Sequence, residues 1–163
     1  MHNLLVTVLA TLMISSSCSA MDNTTKTKIV SISKSSNDYA SIGELNHFCH
    51  APGECRKRMK CEGKTAKVKG YIDYSNVFDK KRYPQLPYEK FTIHDKKRKT
   101  LEVWAVSENN NEIFEKIYKN KEFPDKMVLV NGIIAGFDMP TMGTCHRGIR
   151  IEIKEASDIF FEY

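Results

Sequence analysis

No stretch of this 163-residue chain is apolar for long enough to cross a bilayer as a helix. The longest candidate runs from Leu4 to Ile14, eleven residues with two threonines among them. Catalytic signatures are missing as well. There is no GxSxG elbow, no HExxH zinc helix and no Walker phosphate loop, so the common hydrolase and nucleotide-binding chemistries have no anchor. Neither CxxC nor CxxCH occurs, which removes the usual redox pair and covalent haem attachment. The first twenty residues also lack Lys, Arg, Asp and Glu.

That uncharged start suits the h-region of a secretory signal, and residues 1–20 are expected to be one, although only His2 supplies a positive n-region. Cleavage after Ala20 would use Cys18 and Ala20 as its small residues. Alternatively, Cys18 resembles the lipid-modified cysteine of bacterial lipoproteins, which makes it the expected lipidation site and the one route to a membrane. Residues 21–38 are rich in Ser, Thr, Lys and Asn and read as a flexible tether. Asn23-Thr24-Thr25 is a glycosylation sequon that matters only in a eukaryotic source.

Five cysteines are present, and Cys49, Cys55, Cys61 and Cys145 remain once Cys18 is set aside. In an oxidising compartment an even set is read as two disulfides, here with three possible connectivities. If both form, one must join the early cluster to Cys145. Closing so long a loop stabilises by roughly 4–5 kcal/mol in the chain-entropy view. His47, His50 and His146 lie beside these cysteines, but the spacing is unlike that of zinc sites, so no metal and no cofactor are expected. All charged residues follow position 20, so the net charge of +5 is kept; it attracts anionic surfaces, nucleic acid or acidic glycans, but at this magnitude plain solubility accounts for it first.

Residues 39–63 read as a collar, with Ile42, Leu45 and Phe48 at helical spacing, a stop before Pro52-Gly53 and a cystine staple beyond. From Lys64 onward the period becomes two. Val68-Lys69-Gly70-Tyr71-Ile72 and Val130-Asn131-Gly132-Ile133-Ile134 share one pattern, alternating strands with glycine where an inward side chain belongs. Phe91 and Ile93 mark a second strand, Leu101, Val103 and Ala105 a third, and Ile149, Ile151 and Ile153 a fifth. Between the third and fourth strands, Asn109 to Lys121 predicts a helix. Asn109 is its cap, Glu112 its capping-box partner, and Glu112/Lys116 and Glu115/Lys119 are i,i+4 pairs.

This order resembles the OB-fold, a superfamily of nucleic-acid- and ligand-binding barrels. The expected fold is mainly β: a five-stranded OB-like barrel over residues 64–163 with one helix between strands three and four, preceded by the short helical, cystine-stapled segment. The resemblance implies a ligand face on strands two and three, flanked by the loops after strands one and four. Those loops are expected at Asn76–Tyr88, with Tyr83, Tyr88, Lys80, Lys81 and Arg82, and at Asp138–Gly148, with Met139, Met142, His146 and Arg147. Tyr71 and Trp104 fall on the outward register, and His94 ends strand two.

Rings interleaved with cations suit single-stranded nucleic acid. The blander reading packs Tyr83 and Tyr88 over a barrel end and leaves Lys96-Lys97-Arg98-Lys99 as a solvated hairpin tip. Exported OB-fold copper chaperones resemble the chain at His94 and Trp104, but no methionine follows Trp104. A haem carrier would need a His or Cys shortly before a Tyr on a tail beyond the barrel. Asp73, Asp79, Asp138, Glu152 and Arg150 can be nominated as nuclease groups, yet any half-exposed strand offers such charges. The expectation is therefore a non-enzymatic, exported bacterial envelope protein, periplasmic or lipid-anchored, that binds an envelope protein or anionic polymer. Nucleic acid binding and metal or haem carriage are the alternatives.

Overall fold

The computed structural model describes residues 39–108 and 110–162. The expected signal peptide, Cys18, the tether and the cap Asn109 lie outside the described residues. The elements run β1 (Ala40–Ser41), α1 (Ile42–Cys49), β2 (Gly53–Glu54), β3 (Thr65–Phe78), β4 (Glu89–His94), β5 (Thr100–Ala105), α2 (Asn111–Lys119), β6 (Met127–Thr141), β7 (Thr144–Ile153) and β8 (Ile159–Phe161). A 3-10 turn, Ala156–Asp158, precedes β8. Among the described residues no helix is long and apolar enough to cross a membrane.

Five strands form an OB-like ring. β3 pairs β4, β4 pairs β5, β5 runs parallel to β7, β7 pairs β6, and β6 returns to β3. The ring is not the regular barrel expected. β3 and β6 have 14 and 15 residues against 6 each in β4 and β5, so they overrun it, and a bulge lies between Asp73 and Val77. β1, β2 and β8 add three short margins that carry too few residues to show any alternation.

Two glycines make the closure possible. β3 faces β6 up to Tyr71 and β4 from Tyr71 onward, so Gly70 sits at the change of partner. β6 changes from β3 to β7 at Ile133, beside Gly132. A Cβ on Gly70 would lie 2.9 Å from the His94 carbonyl oxygen, and one on Gly132 only 2.5 Å from that of Glu152. Val68, Ile72, Phe91, Val103, Val130, Ile134 and Ile151 fill the interior, and Ile113, Phe114 and Ile117 of α2 are buried against them.

Local signals explain the helices, with corrections. Ser41 accepts from the Glu44 amide while the Glu44 carboxylate accepts from Ser41 N at 2.7 Å, a capping box at the head of α1. α2 is preceded by Asn110, whose side chain does not cap it. That amide is buried and donates to Glu89 Oε2 at 2.7 Å, so the packing of Glu89 takes precedence over the cap. Neither expected i,i+4 pair forms an ion pair; Lys116 donates to the Ala156 carbonyl at 2.8 Å.

Both expected loops are shorter than predicted. β3 continues to Phe78, and Asp138–Gly148 is not a loop but the outer part of a β6–β7 hairpin turning at Met142-Gly143. Pro140 argues against a central strand, but here β6 has only β7 as neighbour. The disulfides are Cys49–Cys61 and Cys55–Cys145, with Cα separations of 5.2 and 5.7 Å. Such bridges persist outside reducing compartments. The second spans 90 residues and fastens the collar to the hairpin.

Because the Gly132 contact is with backbone, Gly132→Ala should cost about 1–3 kcal/mol through overpacking. Urea unfolding followed by circular dichroism should show the lower midpoint with both disulfides intact. An unchanged midpoint would remove the close approach as the closing device.

Candidate functional site

Register assigns the outward side chains to rows. One row is Phe78, Lys90, Trp104, Glu152 and Ile133; the next is Asp73, Thr92, Glu102, Arg150 and Ala135. Tyr88 stacks on Trp104 with ring centres 4.9 Å apart, Lys90 Nζ lies 5.3 Å from the Tyr88 centre, and Arg150 Cζ lies 4.0 Å from that of Trp104. Rings and cations thus meet on the ring's outer face, but they satisfy one another. Lys90 pairs with Glu102 at 2.5 Å, Trp104 Nε1 donates to Glu102 at 2.8 Å, and Arg150 pairs with Glu152 at 2.6 Å. A stacked base would have to displace Tyr88 or Arg150, and a phosphate would compete with a carboxylate for each cation.

The loop after β3 is likewise bound inward. Asp79 is buried and accepts from the Tyr118 hydroxyl of α2 and, at 2.9 Å, from the Arg82 amide. Burial first, then the bond to Asp79, pushes the Tyr118 hydroxyl well above its ordinary range, so it remains a donor. Arg82 lies 3.9 Å from the Tyr118 ring centre, and Tyr83 tilts against Phe78 at 5.5 Å. Glu89 accepts from the Lys80 amide at 2.9 Å. The side chains of Lys80 and Lys81 stand out into solvent, and Arg82 and the edge of Tyr83 are exposed beside them.

On the hairpin, His146 is exposed opposite Met139 and Glu54. Arg147 is committed: its Nε and one terminal nitrogen bind the two Glu62 oxygens at 2.7 and 2.8 Å, and the other terminal nitrogen reaches Asp138 at 2.9 Å. The guanidinium holds both carboxyls below the usual carboxylate range and is itself held protonated. His94 and Trp104 sit in different rows, four residues apart along β4 through Lys90, or about 13 Å of strand. They form no common ligand pair.

A different part of the surface holds more cations than carboxylates. Between α1 and the β4–β5 turn lies a cleft of ≈ 640 Å³, floored by Gly70, Tyr71 and Met127 and rimmed by Lys69, Lys96, Lys97 and Lys99. The turn is ordered. Asp95 accepts from the amides of Lys97 and Lys99 at 2.8 and 2.9 Å, and Arg98 takes the left-handed conformation at φ 62°. Across the cleft, a Cβ on Gly43 would sit 3.4 Å from Lys99 Nζ. Tyr71 and His94 stack at 5.8 Å on its border. The cleft's two carboxylates, Glu44 and Asp95, are occupied by backbone amides, and the Ser41 amide keeps Glu44 below its ordinary range. Among the described residues none of the four lysines makes an ion pair within 4 Å, although Lys69 lies near enough to Glu44 to help lower its carboxyl.

No protein-family model matches the chain, and no curated protein matches it. Among solved structures it is similar to OBody NL8 bound to hen egg-white lysozyme, at 14% identity over 62% of this chain and 96% of that one, with a TM-score of 0.42. It is also similar to the mitochondrial single-stranded DNA binding protein Rim1 of S. cerevisiae, at 15% identity over 61% of this chain and 95% of that one, with a TM-score of 0.40. Both likenesses are loose, and the strand pairings define the fold without them.

The Glu62–Arg147 bond has a pH signature. These carboxyls release protons more readily folded than unfolded, so the unfolded chain protonates first as pH falls. Stability is therefore full above about pH 5 and declines toward pH 2. Arg147→Ala should cost about 1.5–3 kcal/mol at pH 7 and flatten that acid limb. Urea midpoints measured from pH 7 to pH 2 test it; an acid limb equally steep in the variant would refute the assignment.

Proposed function

We propose that this chain is a non-catalytic binding module of an exported envelope protein, and that its OB-like ring presents the lysine cleft to an anionic partner. One observation carries the reading: Lys96, Lys97 and Lys99 of an ordered turn and Lys69 of β3 surround a cleft whose only carboxylates are Glu44 and Asp95, which leaves it net positive. A net-cationic concavity attracts acidic ligands and speeds their encounter. The two disulfides support an oxidising location, in keeping with the signal-like first twenty residues.

The groups open to nomination for catalysis have other occupations. Asp73 accepts from Ser75 and Asn76, which hold it below the usual carboxylate range; Asp79 accepts from Tyr118, Asp138 from Arg147, and Glu152 from Arg150. Single-stranded nucleic acid remains a second reading at the cleft, because the Tyr71–His94 pair offers a stacking surface beside the lysines. The Trp104 face, saturated by its own carboxylates, does not favour it.

Labelled polyglutamate, polyphosphate and an oligothymidylate, titrated at low and physiological salt, test the proposal. Lys69→Glu/Lys97→Glu/Lys99→Glu should weaken polyglutamate binding about tenfold or more, with affinity falling steeply as salt rises. Lys80→Glu/Lys81→Glu, on the loop after β3, should leave it near wild type. Equal losses in both variants would reduce the effect to net charge, and no binding by the wild type would end the proposal. Preference for the oligothymidylate over polyphosphate would select the nucleic-acid reading.

A further inference from the structure

The lysine cleft does not stand alone. A second cavity of ≈ 540 Å³ shares Tyr71 and Met127 with it, and a third of ≈ 740 Å³ shares Phe123 and Lys126 with the second. The three are therefore successive neighbours along one surface, each bordered by residues of the next. It passes from the β4–β5 turn, along the segment between α2 and β6, to the outer side of β8.

The chambers differ in charge. The first carries the four lysines. The second sets three carboxylates, Glu122, Asp125 and Glu162, against one ammonium, Lys126, so it is net negative. The third sets Phe123, Phe160 and Phe161 beside Lys116, Lys119 and Lys126, with Lys116 over one face of the Phe160 ring and Lys126 over one face of the Phe123 ring. Phe123 and Phe160 are 52% and 49% exposed although they lie far apart in sequence, so the fold assembles an open aromatic floor there.

We infer that this surface binds an extended polypeptide segment of a partner protein, with acidic residues for the lysine cleft, a basic residue for the carboxylate chamber and an apolar anchor for the phenylalanines. The inference rests on the lysine cleft being a binding site and goes further by naming its ligand. A uniform polyanion, whether nucleic acid or polyphosphate, is attracted by the first chamber and repelled by the second. Among linear polymers of the cell, a polypeptide changes charge sign and polarity within a few residues. Electrostatic complementarity of this alternating kind gives specificity more than raw affinity.

Two labelled peptides of about 15 residues, ~50 Å when extended, provide the test. One is wholly acidic; the other has an acidic block, a lysine pair and a Phe-containing acidic end. Fluorescence anisotropy with the full chain should show the patterned peptide binding about tenfold tighter. Glu122→Lys/Asp125→Lys should invert that preference, and Phe123→Ser/Phe160→Ser should weaken the patterned peptide alone. Equal affinities in the wild type, or a preference unmoved by the charge swap, would overturn the inference. The lysine cleft would still stand if the wholly acidic peptide bound and lost affinity in Lys69→Glu/Lys97→Glu/Lys99→Glu. Failure of both peptides to bind would remove both readings.

Discussion

Everything in this molecule depends on two strands that each serve two partners. β3 must leave β6 to meet β4, and β6 must leave β3 to meet β7, all within one ring. Such a change of direction brings the backbone of one strand against the carbonyls of another. At Gly70 and Gly132 that approach leaves no room for a Cβ, so the ring closes only because none is present. Once it closes, the inward residues of all five strands bury one another and the outward ones acquire fixed neighbours. The cleft inherits this rigidity, for Gly70 and Tyr71 form its floor at the same bend.

The outer surface shows one set of residue types doing opposite work. Around Trp104, each cation has a carboxylate and each ring a cation or another ring, so the cluster stabilises the sheet and offers little to a ligand. Around the β4–β5 turn, Glu44 and Asp95 accept from backbone amides rather than from ammonium groups, and the four lysines outnumber them, so a net positive charge faces outward. The Trp104 cluster sets two cations against two carboxylates, which strand register brings together, whereas the cleft sets four lysines against two.

This explains what could be read from the sequence. The ring strands were legible because each has one buried face, so apolar residues alternate; the paired glycines and the α2 face were legible for the same reason. The outer hairpin was not, since Phe137 to Thr141 and Thr144 to Arg147 bury no continuous face and Pro140 imitates a loop. Ser41-x-x-Glu44 was a capping box in plain sight. No sequence pattern could pair Lys90 with Glu102 or Arg147 with Glu62, because those partners meet only once strand register and a fold-wide contact are set. Lys96 to Lys99 read as a solvated tip for the same reason: the wall opposite them, α1, arrives from another part of the chain.

That wall makes the collar more than a preface to the ring. α1 begins beside β3, where β1 pairs with Val68 and Lys69, and it ends at Cys49, held by Cys61 just before β3 starts. Beyond it, Cys55 is fastened to Cys145 on the hairpin, and Arg147 grips Glu62 a short way along the same segment. Helix α1 has only eight residues, too few to hold its shape or place unaided in water. Its cap, its buried Ile42 and Leu45 and the cystine at its end do so instead. The position of Gly43, Glu44 and His47 across from the lysines is thus set by oxidation as much as by packing. A cleft whose one wall depends on cystines is complete only where thiols are oxidised, so the geometry of the site and the compartment that suits it follow from the same bonds.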